Sequence, residues 1–146
     1  MKIVVVSDSH GNSDILYKIL EYNSDADMFI HAGDSGLQQS IYPYRMVKGN
    51  CDYYVDFPEE LYIRTPYGNI YVTHGHKYMT ISHYTVQSKN CKIFIFGHTH
   101  KHLLQEFDGT YLCNPGSVSL PRDNTNGTYL IINLDDQNCN FEFKYL

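Results

Sequence analysis

Apolar residues fall along this chain in short, strand-sized bursts, and most bursts end in glycine with Asp, Asn or His. A strand at Lys2–Ser7, with Ile3–Val6 uninterrupted, runs into Asp8-Ser9-His10-Gly11. Asn12 or Ser13 can then cap a helix whose Ile15, Leu16, Ile19 and Leu20 share one face. Met28-Phe29-Ile30 leads to His31-Ala32-Gly33-Asp34, and Tyr44–Val47 to Gly49-Asn50-Cys51-Asp52. Alternating segments at Leu61–Thr65 and Asn69–Thr73, about the turn Pro66-Tyr67-Gly68, predict a hairpin that delivers His74-Gly75-His76. A short helix is expected over about residues 82–88, and Lys92–Phe96 reads as a buried strand entering Gly97-His98-Thr99-His100. Leu103–Phe107 and Thr110–Cys113 form a second hairpin across Asp108-Gly109, followed by a turn at Asn114-Pro115-Gly116-Ser117. Strands at Thr128–Leu134 and Asn140–Tyr145 close the chain, and the polar stretch Pro121–Gly127 reads as a mobile loop. Strands outnumber helices, which predicts an α/β domain of packed sheets with helices outside.

Composition narrows this further. At 146 residues and 42% hydrophobic, the chain fits a single domain over 1–146 with a sizeable core, and disorder or fibre is excluded. Eleven Lys and Arg against sixteen Asp and Glu give a formal charge of −5, and no basic run is present. General binding to a nucleic-acid backbone is therefore not expected, whereas a small phosphate-bearing ligand is. The apolar runs are far short of the ~20 residues that span a bilayer, so no membrane association is expected. The N-terminal residues Met1–Val6 lack a secretory pattern, and a cytoplasmic location is the expectation. Four cysteines without a CxxC pair argue against a structural zinc site, and three of them read as core residues. Most of the fourteen tyrosines read as half-buried strand residues. A homo-oligomer is left open.

Eight histidines, several beside glycine at strand ends, carry the candidate chemistry. Asp8 and His10, and likewise His98 and His100, are spaced i, i+2 and so share a face of extended chain, a chelating arrangement. Carboxylate, imidazole and amide oxygen without thiolate suit Mn²⁺, Fe²⁺ or Zn²⁺. Asp8, His10, Asp34, Asn50, His74, His98 and His100 are too many ligands for one tetrahedral ion. They suffice for two ions about 3.5–4 Å apart that share a carboxylate and activate a water for in-line attack at phosphorus. Taken singly, each has a bland reading: Asp and Asn cap turns, and Gly-Asn is a frequent turn dipeptide. His76 stands between a supporting role behind the ligands and the site's proton donor, and His31 reads as packed or supporting. No role is assigned to His83 or His102. The Asn114–Ser117 segment is either a tight turn or a device that brings backbone amides and Arg122 to a phosphate.

The ordered series Asp8-x-His10, Gly33-Asp34, Gly49-Asn50, His74-Gly75-His76 and Gly97-His98-Thr99-His100 resembles the calcineurin-like metallophosphoesterase superfamily. The Gly49–Asp52 signature, the Asn114–Arg122 ending and the short length look like its small bacterial and archaeal phosphodiesterase branch. The resemblance implies a four-layer α/β/β/α sandwich of two mixed β-sheets flanked by helices. It also implies two divalent ions, Mn²⁺ foremost with Zn²⁺, Fe²⁺ or Ni²⁺ as other candidates. Carried over by motif, Asp8, His10 and His100 would hold one ion, Asn50, His74 and His98 the other, and Asp34 would bridge them, with a hydroxide held between the ions as the nucleophile. Two departures bear on the substrate. Cys51 replaces the histidine that follows Gly-Asn in larger phosphatases, and no arginine follows Gly33-Asp34. Less positive charge at the phosphoryl group favours a small monoanionic phosphodiester over a dianionic monoester. The leaving group's proton would come from His76, from water on the metal, or not be needed. The rival readings are a non-catalytic interaction scaffold of the same fold, a polynucleotide nuclease and a phosphomonoesterase.

Overall fold

In the computed structural model, which describes residues 1–146, the chain runs β1 (Lys2–Val6), α1 (Ser13–Tyr22), β2 (Met28–His31), β3 (Tyr44–Met46), β4 (Glu60–Thr65), β5 (Gly68–Thr73), α2 (His83–Ser88), β6 (Ile93–Ile95), β7 (His102–Phe107), β8 (Thr110–Pro115), β9 (Thr128–Leu134) and β10 (Cys139–Tyr145). They form two five-stranded sheets, ordered β10-β9-β1-β2-β3 and β4-β5-β6-β8-β7. Both sheets are mixed: β1, β2 and β3 are parallel, as are β5, β6 and β8, and the remaining strands flank them antiparallel.

Alternation along the central strands sorts side chains into three apolar layers. Ile3 and Val5 of β1 point between the sheets, where they join Ile30, Ile70, Val72, Ile93 and Ile95. Val4 and Val6 point the other way, onto Leu16 and Ile19 of α1. On the far side of the second sheet, Tyr71, Phe94 and Leu112 meet Val86 of α2. The order is helix, sheet, sheet, helix, the four-layer sandwich expected. A central strand buried on both faces has no polar side, which is why β1 and β6 read as unbroken apolar runs.

Local chemistry fixes the boundaries. Asn12 is the α1 cap, its Oδ1 accepting from the Ile15 N–H, and Ser82 caps α2 through the Thr85 N–H. Cys91 and Cys113 are buried and Cys139 packs against the inter-sheet core, while Cys51 is exposed. Two expectations are corrected. Asn114 and Pro115 extend β8 instead of turning. β6 ends opposite Cys113, so the missing proline N–H leaves no ladder bond unmade on that side. Several tyrosines, among them Tyr17, Tyr22, Tyr53, Tyr54 and Tyr84, lie exposed on helices and loops, because outer helix faces and loop tips need no apolar partner. No helix is long and apolar enough to cross a membrane.

Candidate metal centre

Every polar cluster leaves the carboxyl end of a parallel strand: Asp8 and His10 after β1, Asp34 after β2, Asn50 after β3, His74 after β5, His98 and His100 after β6. That end is where open α/β sheets gather ligand-binding loops. All seven side chains meet there, contributed by both sheets. Asp8 Oδ1 lies 3.2 Å from His100 Nε2, 3.8 Å from His10 Nε2 and 3.9 Å from His74 Nε2. Asp34 Oδ2 lies 3.3 Å from His74 Nε2 and 3.9 Å from His10 Nε2. Asn50 Oδ1 stands 3.1 Å from His74 Nε2 and 3.0 Å from His98 Nδ1.

The donor set fits a cation. Asp8 Oδ1 is buried without a hydrogen-bond partner, whereas Oδ2 accepts from Ser7 Oγ at 2.6 Å and the His98 N–H at 3.0 Å. His74 Nδ1 donates to the Ala32 carbonyl at 2.8 Å and His100 Nδ1 to the Leu120 carbonyl at 2.6 Å. Each bond fixes the tautomer that turns the Nε2 lone pair toward the aspartates. A buried carboxylate oxygen facing imidazole lone pairs lacks an electron-pair acceptor, and a divalent ion supplies one. Protons otherwise take that place. The nearby Asp8 carboxylate raises the His100 pKa, and for His74 the Asp34 and Asp8 carboxylates outweigh a burial that would lower it. Asp34 shows the complement: burial would raise its pKa, but His74 and the Cys51 N–H hold it far below the usual carboxylate range.

Backbone strain is concentrated at the same place. Asp8, His10, Asp34, His98 and His100 have φ of 53°, 44°, 55°, 68° and 59°. The left-handed region is uncommon for residues with a side chain, and clusters of such residues mark functional sites.

Buried groups behind the cluster hold these loops. Asp52 Oδ2 accepts from the backbone N–H of Asp34 at 2.9 Å and of Gly49 at 2.8 Å, and its Oδ1 accepts from the Gly36 N–H at 3.1 Å. Gly49 must be glycine, since a Cβ there would collide with Asp34 Oδ1. His31 is fully buried. Its Nδ1 accepts from the Gly33 N–H at 3.2 Å, leaving Nε2–H to donate to Ser9 Oγ at 2.8 Å, so one ring joins the Asp8–His10 and Gly33–Asp34 loops. Burial pushes its pKa down to about 4. Ser117 Oγ donates to the Asp8 carbonyl at 2.8 Å, and Asn114 Nδ2 to the Gly97 carbonyl at 2.8 Å. The support given by Asp52, Ser117 and Asn114 escaped the sequence reading, although the short Gly-Asn-x-Asp spacing was a signal for Asp52.

The remaining candidates separate clearly. His76 lies beside the centre, its ring centroid 5.5 Å from that of His74 and 6.3 Å from that of His98, with Nδ1 buried and unpartnered. Burial and His74 lower its pKa. The Cys51 Sγ approaches donor atoms of His10 and Asp34 to within 4.8 Å, yet burial and Asp34 raise the thiol pKa, so it stays uncharged. Its backbone N–H, donating to Asp34 Oδ1 at 2.7 Å, is the contact that orients the carboxylate. Exposed Arg122 donates its backbone N–H to the His100 carbonyl at 2.9 Å and places a positive charge near that ring. The Pro121–Gly127 stretch is tied down, because Asp123 accepts from the His102 N–H at 2.9 Å, His102 Nδ1 at 2.6 Å and Thr125 Oγ1 at 2.7 Å. His83 stacks on Phe107 away from the site.

Known proteins carry the same arrangement of chain. Residues 1–137 match the model of the calcineurin-like phosphoesterase superfamily domain. The probable metallophosphoesterase YsnB of Bacillus subtilis is 33% identical, the match covering 98% of this chain and 90% of that protein. The phosphodiesterase YfcE of Escherichia coli is 24% identical over 92% of this chain and 89% of its own. Among solved structures, a predicted phosphoesterase of Streptococcus pneumoniae TIGR4 superposes with a TM-score of 0.89 at 31% identity, covering 99% of this chain and 88% of the other.

Proposed function

The chain belongs to the calcineurin-like phosphoesterase superfamily, and from that premise we propose that it hydrolyses small phosphodiesters with the help of two divalent cations, Mn²⁺ foremost. The observation that carries this reading is the buried, unpartnered Asp8 Oδ1 ringed by imidazole Nε2 atoms of His10, His74 and His100. Asp8, His10 and His100 would hold one ion, Asn50, His74 and His98 the other, and Asp34 would be shared. When bound, the ions would polarise the phosphoryl oxygens and acidify the attacking water. The protein's part is to orient. Ala32 and Leu120 carbonyls fix the two imidazole tautomers, Asp52 and His31 hold the loops in register, and the exposed Arg122 draws an anion toward His100. Arg122 with an uncharged Cys51 thiol supplies little protein charge for a dianion, which supports the diester. The name of the relative YfcE agrees with that choice. We assign His76, whose ring lies beside those of His74 and His98, as the residue that exchanges a proton with the leaving oxygen. A cytoplasmic setting fits a soluble small-molecule hydrolase of this kind.

The test is metal content together with Mn²⁺-dependent hydrolysis of bis(p-nitrophenyl) phosphate and p-nitrophenyl phosphate, with Asp34→Asn as control. Two equivalents of metal and faster diester turnover are expected. Preference for the monoester overturns the substrate reading, bound metal without turnover indicates a scaffold, and absence of metal binding sinks the proposal.

A further inference from the structure

A cavity of about 400 Å³ opens directly beside the metal centre. His98 and Gly97 belong to both, and the cavity's apolar lining includes Tyr78, Ile81, Phe96 and Leu103. None of its twelve lining residues is Asp, Glu, Lys or Arg, in a chain where those types make up 18% of residues. A second cavity of about 190 Å³ begins at Cys51 and shares no lining residue with the first. The site thus offers a phosphodiester two separate directions for its two arms, and the larger direction carries no Asp, Glu, Lys or Arg side chain.

Resting on the diesterase reading above, we infer that the cavity beside His98 is the seat of one ester arm of the substrate, and that this arm is an uncharged planar ring. Phe96 and Tyr78 give it aromatic surface and Ile81 and Leu103 aliphatic surface, which favour a flat apolar group over a sugar or a second phosphate. Thr80 and Gln105 at the same cavity supply hydrogen bonds to heteroatoms on the ring edge. A bare phosphate or a dialkyl ester of one or two carbons leaves the cavity unused. Apolar burial there acts on binding before the bond breaks, so the cavity sets selectivity chiefly through KM.

Isothermal titration of the Mn²⁺-loaded protein with two monoanionic phosphinates that have no P–O–C bond to cleave, benzyl(methyl)phosphinate standing for the phenyl ester and ethyl(methyl)phosphinate for the methyl ester, tests this. The wild type is expected to bind the benzyl compound at least about tenfold more tightly. Gln105→Trp, on the exposed strand β7, and Ile81→Trp, on the loop before α2, each place an indole in the cavity. Either variant should reduce the benzyl advantage below about threefold while the ethyl compound binds as before. Equal affinities in the wild type, no binding of the benzyl compound, or an advantage that survives in both folded variants overturns the inference. Turnover of methyl p-nitrophenyl phosphate separates it from the reading on which it rests. Turnover without a benzyl advantage removes the cavity's role alone, and a benzyl advantage without turnover removes the hydrolase reading alone.

Discussion

Asp8 Oδ1 and His100 Nε2, from loops of two different sheets, stand 3.2 Å apart, and the carboxylate oxygen has no hydrogen-bond donor. The two sheets thus meet at this edge through groups of the kind that hold a divalent cation. Adding Mn²⁺ to chelator-treated protein is expected to raise the melting temperature, with stabilisation of about 3 kcal/mol at a concentration a hundred times the Kd. Asp8→Asn should abolish that rise. Differential scanning fluorimetry with and without chelator measures both, and an unchanged melting curve would contradict the assignment.

Asp52 is expected to govern the centre without touching it. In Asp52→Asn one accepting oxygen becomes an N–H₂ that confronts backbone N–H groups of Asp34, Gly49 or Gly36. The loss should be about 1–3 kcal/mol of stability and about 10–100-fold in metal affinity. Urea denaturation and competitive metal titration report the two effects separately.

His31 predicts a pH dependence of stability. Its folded pKa, about 4, lies below the ordinary 6.5 because burial disfavours the charged ring. The unfolded chain therefore takes up more protons between those values, so this contribution is full above the upper value and declines as pH falls toward the lower. Between pH 7.5 and 5 the decline is about 2 kcal/mol. His31→Gln should flatten that slope in parallel urea melts, and an identical slope in both proteins would refute the assignment.

Cys51→Ala should lower kcat/KM by less than about threefold, because the backbone N–H that holds Asp34 Oδ1 survives the change. Asp34→Asn should exceed the roughly 100-fold expected for a supporting residue. Comparable losses in steady-state assays would give the thiol a role of its own.

Much of this architecture was legible in the sequence. β1 and β6 announced themselves because a strand covered on both faces is apolar throughout, and the five clusters because each sits where an apolar burst stops. The i, i+2 spacing of Asp8 with His10 and of His98 with His100 singled out these residues, but the shared face of extended chain it assumed is not what is found, because all four lie past the strand ends with left-handed backbone. What stayed hidden depends on partners distant in the chain. Ser117 meets the Asp8 carbonyl across 109 positions, and no local pattern marks it. The same holds for Pro115, which stays in β8 paired with His102 of β7 while β6 on the other side has ended, and for the Pro121–Gly127 stretch, polar in composition yet pinned through Asp123 to His102. The exposed tyrosines misled because the residue type fits a half-buried strand and a loop tip equally well.

The left-handed backbone at Asp8, His10, Asp34, His98 and His100 sets the direction in which this chain can change. Glycine at any of these positions relieves a conformation that costs of order 1–3 kcal/mol. A glycine there would remove the donor atom together with the strain, so the strain is a cost this chain carries for keeping those side chains in place.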